Sequence, residues 1–128
     1  MLIPSFQRWA AKYGLDPGLL MSLAWLESGW QNGVVSSAGA IGIGQLLPDT
    51  VDFLTTQVMR TPLDPADPDS NIRMSARYLK WLLDNTGGDV PTALAGYYQG
   101  LRAVNERGVL PESAVYASTV LTIADRWF

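Results

Sequence analysis

Residues 17 to 45 constrain the chain more than any other stretch: PGLLMSLAWLESGWQ reads as a helix, and the SSAGAIGIGQLLP that follows is glycine-rich. At 3.6 residues per turn, Leu20, Leu23, Ala24 and Glu27 fall on one stripe, with Leu19 and Leu26 on its flanks. A carboxyl therefore sits on the apolar face. Withdrawn from water without a cationic partner, a glutamate keeps its proton above the ordinary pKa of about 4.3, and the negative pole of the nearby helix end acts in the same direction. General acids are made this way. Glycines at 39, 42 and 44 let backbone come close to whatever the carboxyl faces, and Gln45 supplies an amide just before a new helix opens at Pro48. Taken alone, a glutamate on such a stripe is ordinarily a snorkelling or capped side chain and a glycine run is ordinarily a turn, so periodicity does not by itself establish a cleft with its acid.

The rest of the composition narrows the chemistry. A chain of 128 residues, 48% of them apolar, is enough for one domain with a real core, expected to span 1–128, and too short for two ordinary ones. Nine Lys and Arg scattered among twelve acids make no basic patch of the kind phosphate binding needs, which argues against nucleic acid. Neither Cys nor His occurs, which removes thiol nucleophiles, Ser–His dyads and the usual zinc sites; acid–base chemistry must run on carboxyls, tyrosines or lysines, with no metal or cofactor expected. The start MLIPSFQRWAAKYG has no apolar core behind a basic segment, so neither a signal peptide nor a membrane span is expected in this chain.

Taken in order, the sequence is mainly helical. A first helix is predicted from Pro4 to Tyr13, with Phe6, Trp9, Ala10 and Tyr13 facing inward and Gly14 as its stop. Asp16 and Pro17 give the second helix its cap and first turn. Glycines at 29, 33, 39, 42 and 44 make 28–47 a loop or a short irregular hairpin. A third helix opens at Pro48 and is predicted to run to Met59. Prolines and aspartates make RTPLDPADPDSN a loop, in which Asp64, Asp67 and Asp69 suit turns and caps better than a calcium site. Pro68 to Asp84 has a wide apolar face built on Ile72, Ala76, Leu79 and Leu83, the mark of a central helix. Asp89 caps a fifth helix that ends at Gly100, Leu101 to Glu106 form a short sixth, and a seventh runs from Pro111 towards Trp127.

Four ordered motifs say more than any one of them. ESGWQ from Glu27, then Ser36 and S-A-G-A-I-G-I-G-Q-L-L-P, then Asn71-Ile72 leading to Tyr78-Leu79, then ALAGYYQG at 93–100, and finally Pro111 to Tyr116 followed by Val120-Leu121 resemble the signature of the soluble lytic transglycosylase family, which shares its fold with goose-type lysozyme. The resemblance covers about Ile3 to Leu121. It implies a mainly α, lysozyme-like fold with six to seven helices and a small loop or hairpin lobe after the catalytic helix. It also implies peptidoglycan glycan strands as partner, an extracytoplasmic place in the cell wall or periplasm, and a monomer, either alone or within a longer chain.

On that resemblance Glu27 is the single catalytic residue, acid and then base, cutting the bond between N-acetylmuramic acid and N-acetylglucosamine and leaving a 1,6-anhydro end. Ser36 and Gln45 match polar positions expected to bind sugar groups, and Tyr97 and Tyr116 match tyrosines expected to orient Glu27 or the saccharide. The chain departs from the pattern in three places. Gly44 stands where many members have Met, which suggests a wider or more mobile groove; Tyr98 stands where Asn is common, leaving Gln99 to replace its amide; Ser75 stands where Gly is common, a packing difference. Two other functions remain open: a goose-lysozyme-type hydrolase, for which Asp49 and Asp52 are the nearest candidate second carboxylates, and a wall-binding module without turnover. A structural component of a secretion or phage apparatus is compatible with any of these.

Overall fold

A computed structural model describes all residues from Met1 to Phe128. Seven α-helices follow one another: α1 (Ile3–Tyr13), α2 (Pro17–Ser28), α3 (Pro48–Phe53), α4 (Pro68–Asp84), α5 (Val90–Gln99), α6 (Leu101–Arg107) and α7 (Pro111–Trp127). Their ends carry the predicted signals. Gly14 stops α1 in the left-handed conformation at φ 69°, and the Asp16 carboxylate accepts from Gly18 N at 3.0 Å ahead of Pro17. Asp67 caps α4 by accepting from Ser70 N at 2.9 Å, while Asp64 accepts from Ala66 N.

Two elements differ from the sequence expectation. The third helix does not run unbroken to Met59: after Phe53 it loosens into a π-helical turn, Leu54–Val58, where the wider coil sets Leu54 fully inside the core. The second helix is not a one-sided stripe either. Every residue from Gly18 to Ala24 is buried, because α1 covers one side of α2 and α7 another. A helix apolar nearly all round belongs at the centre, and α2 shares that place with α4. Leu20 and Leu23 from α2 meet Leu79 and Leu82 from α4, Leu94 from α5 and Val120 from α7 in one core.

Between α2 and α3 the glycine-rich segment folds into an irregular lobe instead of a sheet. Two isolated bridges, Val35 to Ile41 and Ile41 to Leu46, hold it, with Ile41 and Leu46 exchanging backbone hydrogen bonds at 2.9 and 3.1 Å. Ile43 and Leu46 sink from the lobe into the helical core, and one buried amide ties its backbone down. Asn71, fully buried on α4, accepts from Gly44 N at 2.8 Å and donates to Ile41 O at 3.0 Å and Pro65 O at 2.9 Å. Tyr97 of α5 donates to Gly44 O at 2.8 Å, so both polar groups of residue 44 are held from the helical side.

Such a tether needs glycine. A Cβ at Gly42, which has φ +75°, would come within 2.5 Å of the Asn71 amide nitrogen. At Gly44 it would overlap the Ser75 hydroxyl outright, and would stand 2.8 Å from Ser75 Cβ and 2.9 Å from the Tyr97 hydroxyl. A side chain at 44 thus points into the packed interior towards α4, and the glycine there does not widen a groove as the sequence suggested. Ser75 fills the space. Overpacking of this kind costs about 1–3 kcal/mol, so Gly44→Ala should lower the unfolding free energy by that amount in urea titrations. In a Ser75→Gly background the same change should cost at least about 1 kcal/mol less, the sign of direct coupling between contacting residues.

Candidate active site

Glu27 is the penultimate residue of α2 and lies half-buried where the helix runs out towards the lobe. Tyr116 of α7, on the far side of the chain, donates its hydroxyl to Glu27 Oε2 at 2.7 Å. Loss of water contact is the dominant influence and pushes the Glu27 pKa up from 4.5 to about 7; the Tyr116 hydrogen bond, which favours the carboxylate, works against it. No cation forms an ion pair with it, since the ion pairs of the chain are Arg8–Asp69, Lys80–Asp84 and Arg102–Glu106. Near neutral pH the group is therefore divided between acid and conjugate base. Burial raises the phenols of Tyr97 and Tyr116 well above their ordinary value, and the negative charge of Glu27 adds to it, so both stay protonated as donors.

An open cleft runs past this carboxyl in two halves. The first, of about 360 Å³, has the lobe on one side, with Ser36 and Gln45, and on the other Tyr78 of α4 and Tyr97 to Gly100 at the end of α5. The second, of about 530 Å³, lies between the end of α2 and the outer face of α7, with Glu112, Tyr116 and Thr119. Glu27 and Tyr98 line both. All six residues singled out in the sequence thus border the cleft, Glu27 with Ser36, Gln45, Tyr97 and Gln99 in one half and with Tyr116 in the other.

Their roles in the free protein differ. Ser36 turns the lobe, its hydroxyl accepting from Ala40 N at 3.0 Å. Gln45 sits in the left-handed region at φ 51°, a costly place for a residue with a side chain, and is held there by its own amide, which donates to Val34 O and Gly42 O, both at 2.9 Å. Its carbonyl oxygen remains available to the cleft. Tyr97 touches Glu27 only through space; its hydroxyl is committed to Gly44 O. Gln99 braces the turn before α7, donating to Gly108 O at 3.0 Å and accepting from Leu110 N at 3.1 Å, so a saccharide contact would fall on what remains of its acceptor. Asp49 and Asp52 line neither half.

Several cleft residues were not singled out as site residues from the sequence. Tyr78, whose ring centroid lies 5.1 Å from that of Tyr97, walls the first half together with Thr50. Its place in the Asn71-to-Tyr78 motif is the available signal, though its spacing also puts it beside the apolar face of α4. Tyr98 was noted only as a departure from the family pattern, and it is the one side chain besides Glu27 common to both halves. Asn71 and Ser75 act from beneath, through the lobe.

Known proteins resemble this chain in both sequence and fold. The family model described as the transglycosylase SLT domain matches residues 4–114. A transglycosylase of Enterobacteria phage PRD1 is 35% identical over 96 residues, which cover 75% of this chain and 34% of that protein. The endo-type membrane-bound lytic murein transglycosylase A of Klebsiella pneumoniae is 34% identical over 88 residues, covering 65% of this chain and 43% of the relative. Among solved structures, the lytic transglycosylase Slt of Pseudomonas aeruginosa, in an inactive Glu-to-Gln mutant, matches with a TM-score of 0.85 at 25% identity, over 94% of this chain and 23% of that one. The 70-kDa soluble lytic transglycosylase of Escherichia coli shares the fold, with a TM-score of 0.83 over 94% of this chain and 23% of that one, at 23% identity. The chain therefore spans well under half the length of these relatives, and its seven helices have the lysozyme-like arrangement that the motifs led one to expect. On the extent of the family match and the likeness of the phage protein, the chain belongs to the transglycosylase SLT domain family.

Proposed function

We propose that this domain is a peptidoglycan lytic transglycosylase in which Glu27 serves first as acid and then as base. The observation that supports this best is a lone carboxyl of near-neutral pKa at the meeting point of two cleft halves, held by a phenol that stays protonated. Protonated Glu27 gives its hydrogen to the oxygen joining N-acetylmuramic acid to N-acetylglucosamine, and the bond from that oxygen to the anomeric carbon breaks. Positive charge develops at that carbon. The 6-hydroxyl of the same muramic acid closes onto it, and its proton passes to the Glu27 carboxylate, which restores the starting acid. One new C–O bond replaces the one broken, and no water is consumed. A pKa near 7 suits a group that must first give and then take a proton.

Hydrolysis by the inverting route needs a second carboxylate about 6.5–9.5 Å from the acid to hold water. Among residues lining the two halves, Glu112 is the only other carboxylate, and it is exposed in the first turn of α7. Murein, named in the Klebsiella relative, is the substrate class proposed here, which would place the domain's action outside the cytoplasm. No helix of the chain is long and apolar enough to cross a membrane.

Purified wall sacculi should lose turbidity with the intact chain, and Glu27→Gln should slow that clearing by about 10²- to 10⁴-fold, the usual worth of a positioned acid–base group. Mass spectrometry of the released muropeptides should find 1,6-anhydro ends; reducing ends would assign the domain to hydrolysis, and binding without any release would make it a wall-binding module. Because the acid must be protonated in the free enzyme, kcat/KM should fall as pH rises through about 7. Tyr116→Phe removes a bond that favours the carboxylate, so the alkaline limb should move to higher pH while kcat drops.

Folding is linked to the same proton. The native state holds it up to about pH 7 and the unfolded chain releases it near 4.5, so the benefit of the protonated group is complete below 4.5 and is lost as pH rises through 7. Calorimetry should therefore show the Tm of the wild type falling relative to that of Glu27→Gln across that interval.

A further inference from the structure

Tyr98 is the largest exposed side chain of the cleft, and the catalytic scheme above gives it no task. It is 52% exposed although it lies in the penultimate position of α5, whose preceding residues from Ala93 to Tyr97 are all buried. One face of its ring is covered by Tyr116, with centroids 4.8 Å apart and planes 26° from parallel. That leaves the other face open. Tyr98 lines both cleft halves, as Glu27 does, so the ring stands beside the acid at the point where the halves join.

A flat apolar face of this kind, backed by a second ring, matches the face of a pyranose that carries axial C–H bonds. Tyrosine offers such area at low conformational cost, since two torsions fix the ring and the Tyr116 stack restricts both. Polar partners are nearby in the lobe at Ser36 and at the free oxygen of Gln45, so a sugar lying on the ring would still have hydrogen-bond partners across the first half of the cleft. The covered face matters equally. Because Tyr116 contacts Tyr98 with its ring and Glu27 with its hydroxyl, a sugar on Tyr98 is seated on the same stack that orients the acid.

We infer that Tyr98 is a substrate-binding residue, an aromatic platform for an N-acetylated hexose ring next to the bond that is cut. This deepens the proposed function and rests on the cleft being a glycan groove. The prediction is that ring removal weakens glycan binding, while loss of the hydroxyl alone does not.

The test uses the full chain carrying Glu27→Gln, so that binding is read without turnover, with chitotetraose as probe in calorimetric titration. Adding Tyr98→Ala or Tyr98→Leu should raise Kd by about five- to tenfold, the worth of one aromatic stacking contact, whereas Tyr98→Phe should stay within about twofold. In the active chain, the same variants should raise KM for sacculi by a similar factor and change kcat less. Thermal melts of each variant show whether it is folded, and Tyr98→Phe serves as the rescue. Tyr98→Leu binding as tightly as Tyr98→Phe would overturn the platform, since apolar area alone would then suffice, and so would unchanged Kd and KM in Tyr98→Ala. An active wild type with an indifferent Tyr98→Ala removes only this inference; a wild type that neither clears sacculi nor binds the probe removes the glycan groove and the platform together.

Discussion

A single carboxyl poised between two opposed influences stands at the centre of the cleft. Burial pushes the Glu27 pKa up, and a hydrogen bond from a good donor pulls it down. Tyr116 moderates the first without cancelling it. The balance requires the end of α2 and the middle of α7 to lie side by side, though the two residues are 89 positions apart. Packing of α7 along α2 and α5 therefore sets the surroundings of Glu27 as well as building the core. Tyr116 is itself pushed up by burial and by the charge it faces, which keeps it a donor whichever form Glu27 takes.

The opposite wall is arranged with equal economy of means. The glycine-rich lobe sinks Ile43 and Leu46 into the core, and the rest of its position comes from backbone groups held by the helices beneath it. Asn71 satisfies three backbone groups from three points of the chain, and Tyr97 closes a fourth from α5. Buried polar networks of this type specify one arrangement when every member is satisfied. Gln45, in its left-handed conformation, depends on that arrangement, since its amide reaches Val34 and Gly42 only while the lobe is in place.

Much of this was legible beforehand, for identifiable reasons. Glu27 was legible as the one charged residue of an otherwise apolar helix, and the caps at Asp16, Asp67 and Asp89 mark helix starts by local chemistry. Motif order brought Ser36, Gln45, Tyr97, Gln99 and Tyr116 to the borders of one cleft. Periodicity could not show that α2 is covered on all sides, because that depends on where α1 and α7 dock. Nor could it tell that Tyr97 faces inward and Tyr98 outward, as adjacent residues near a helix end are separated by about 100° and only the neighbours decide which is covered. The π turn after Phe53 was invisible for a related reason: one residue more per turn leaves no mark in composition. The partnership of Gly44 with Ser75 lies across 31 positions of sequence and is a matter of volume, which no local pattern records.

That partnership also orders how the sequence can change. A larger residue at position 44 is barred while the serine side chain occupies the space in front of it, whereas trimming position 75 first removes two of the three close contacts and leaves only the Tyr97 hydroxyl to shift. Of the two possible mutational routes to a chain with the bulk exchanged, one passes through an overfilled interior and the other through a small void. Drift within the lineage should therefore travel by the second, and the residues at 44 and 75 should inherit each other's history even though neither lines the cleft.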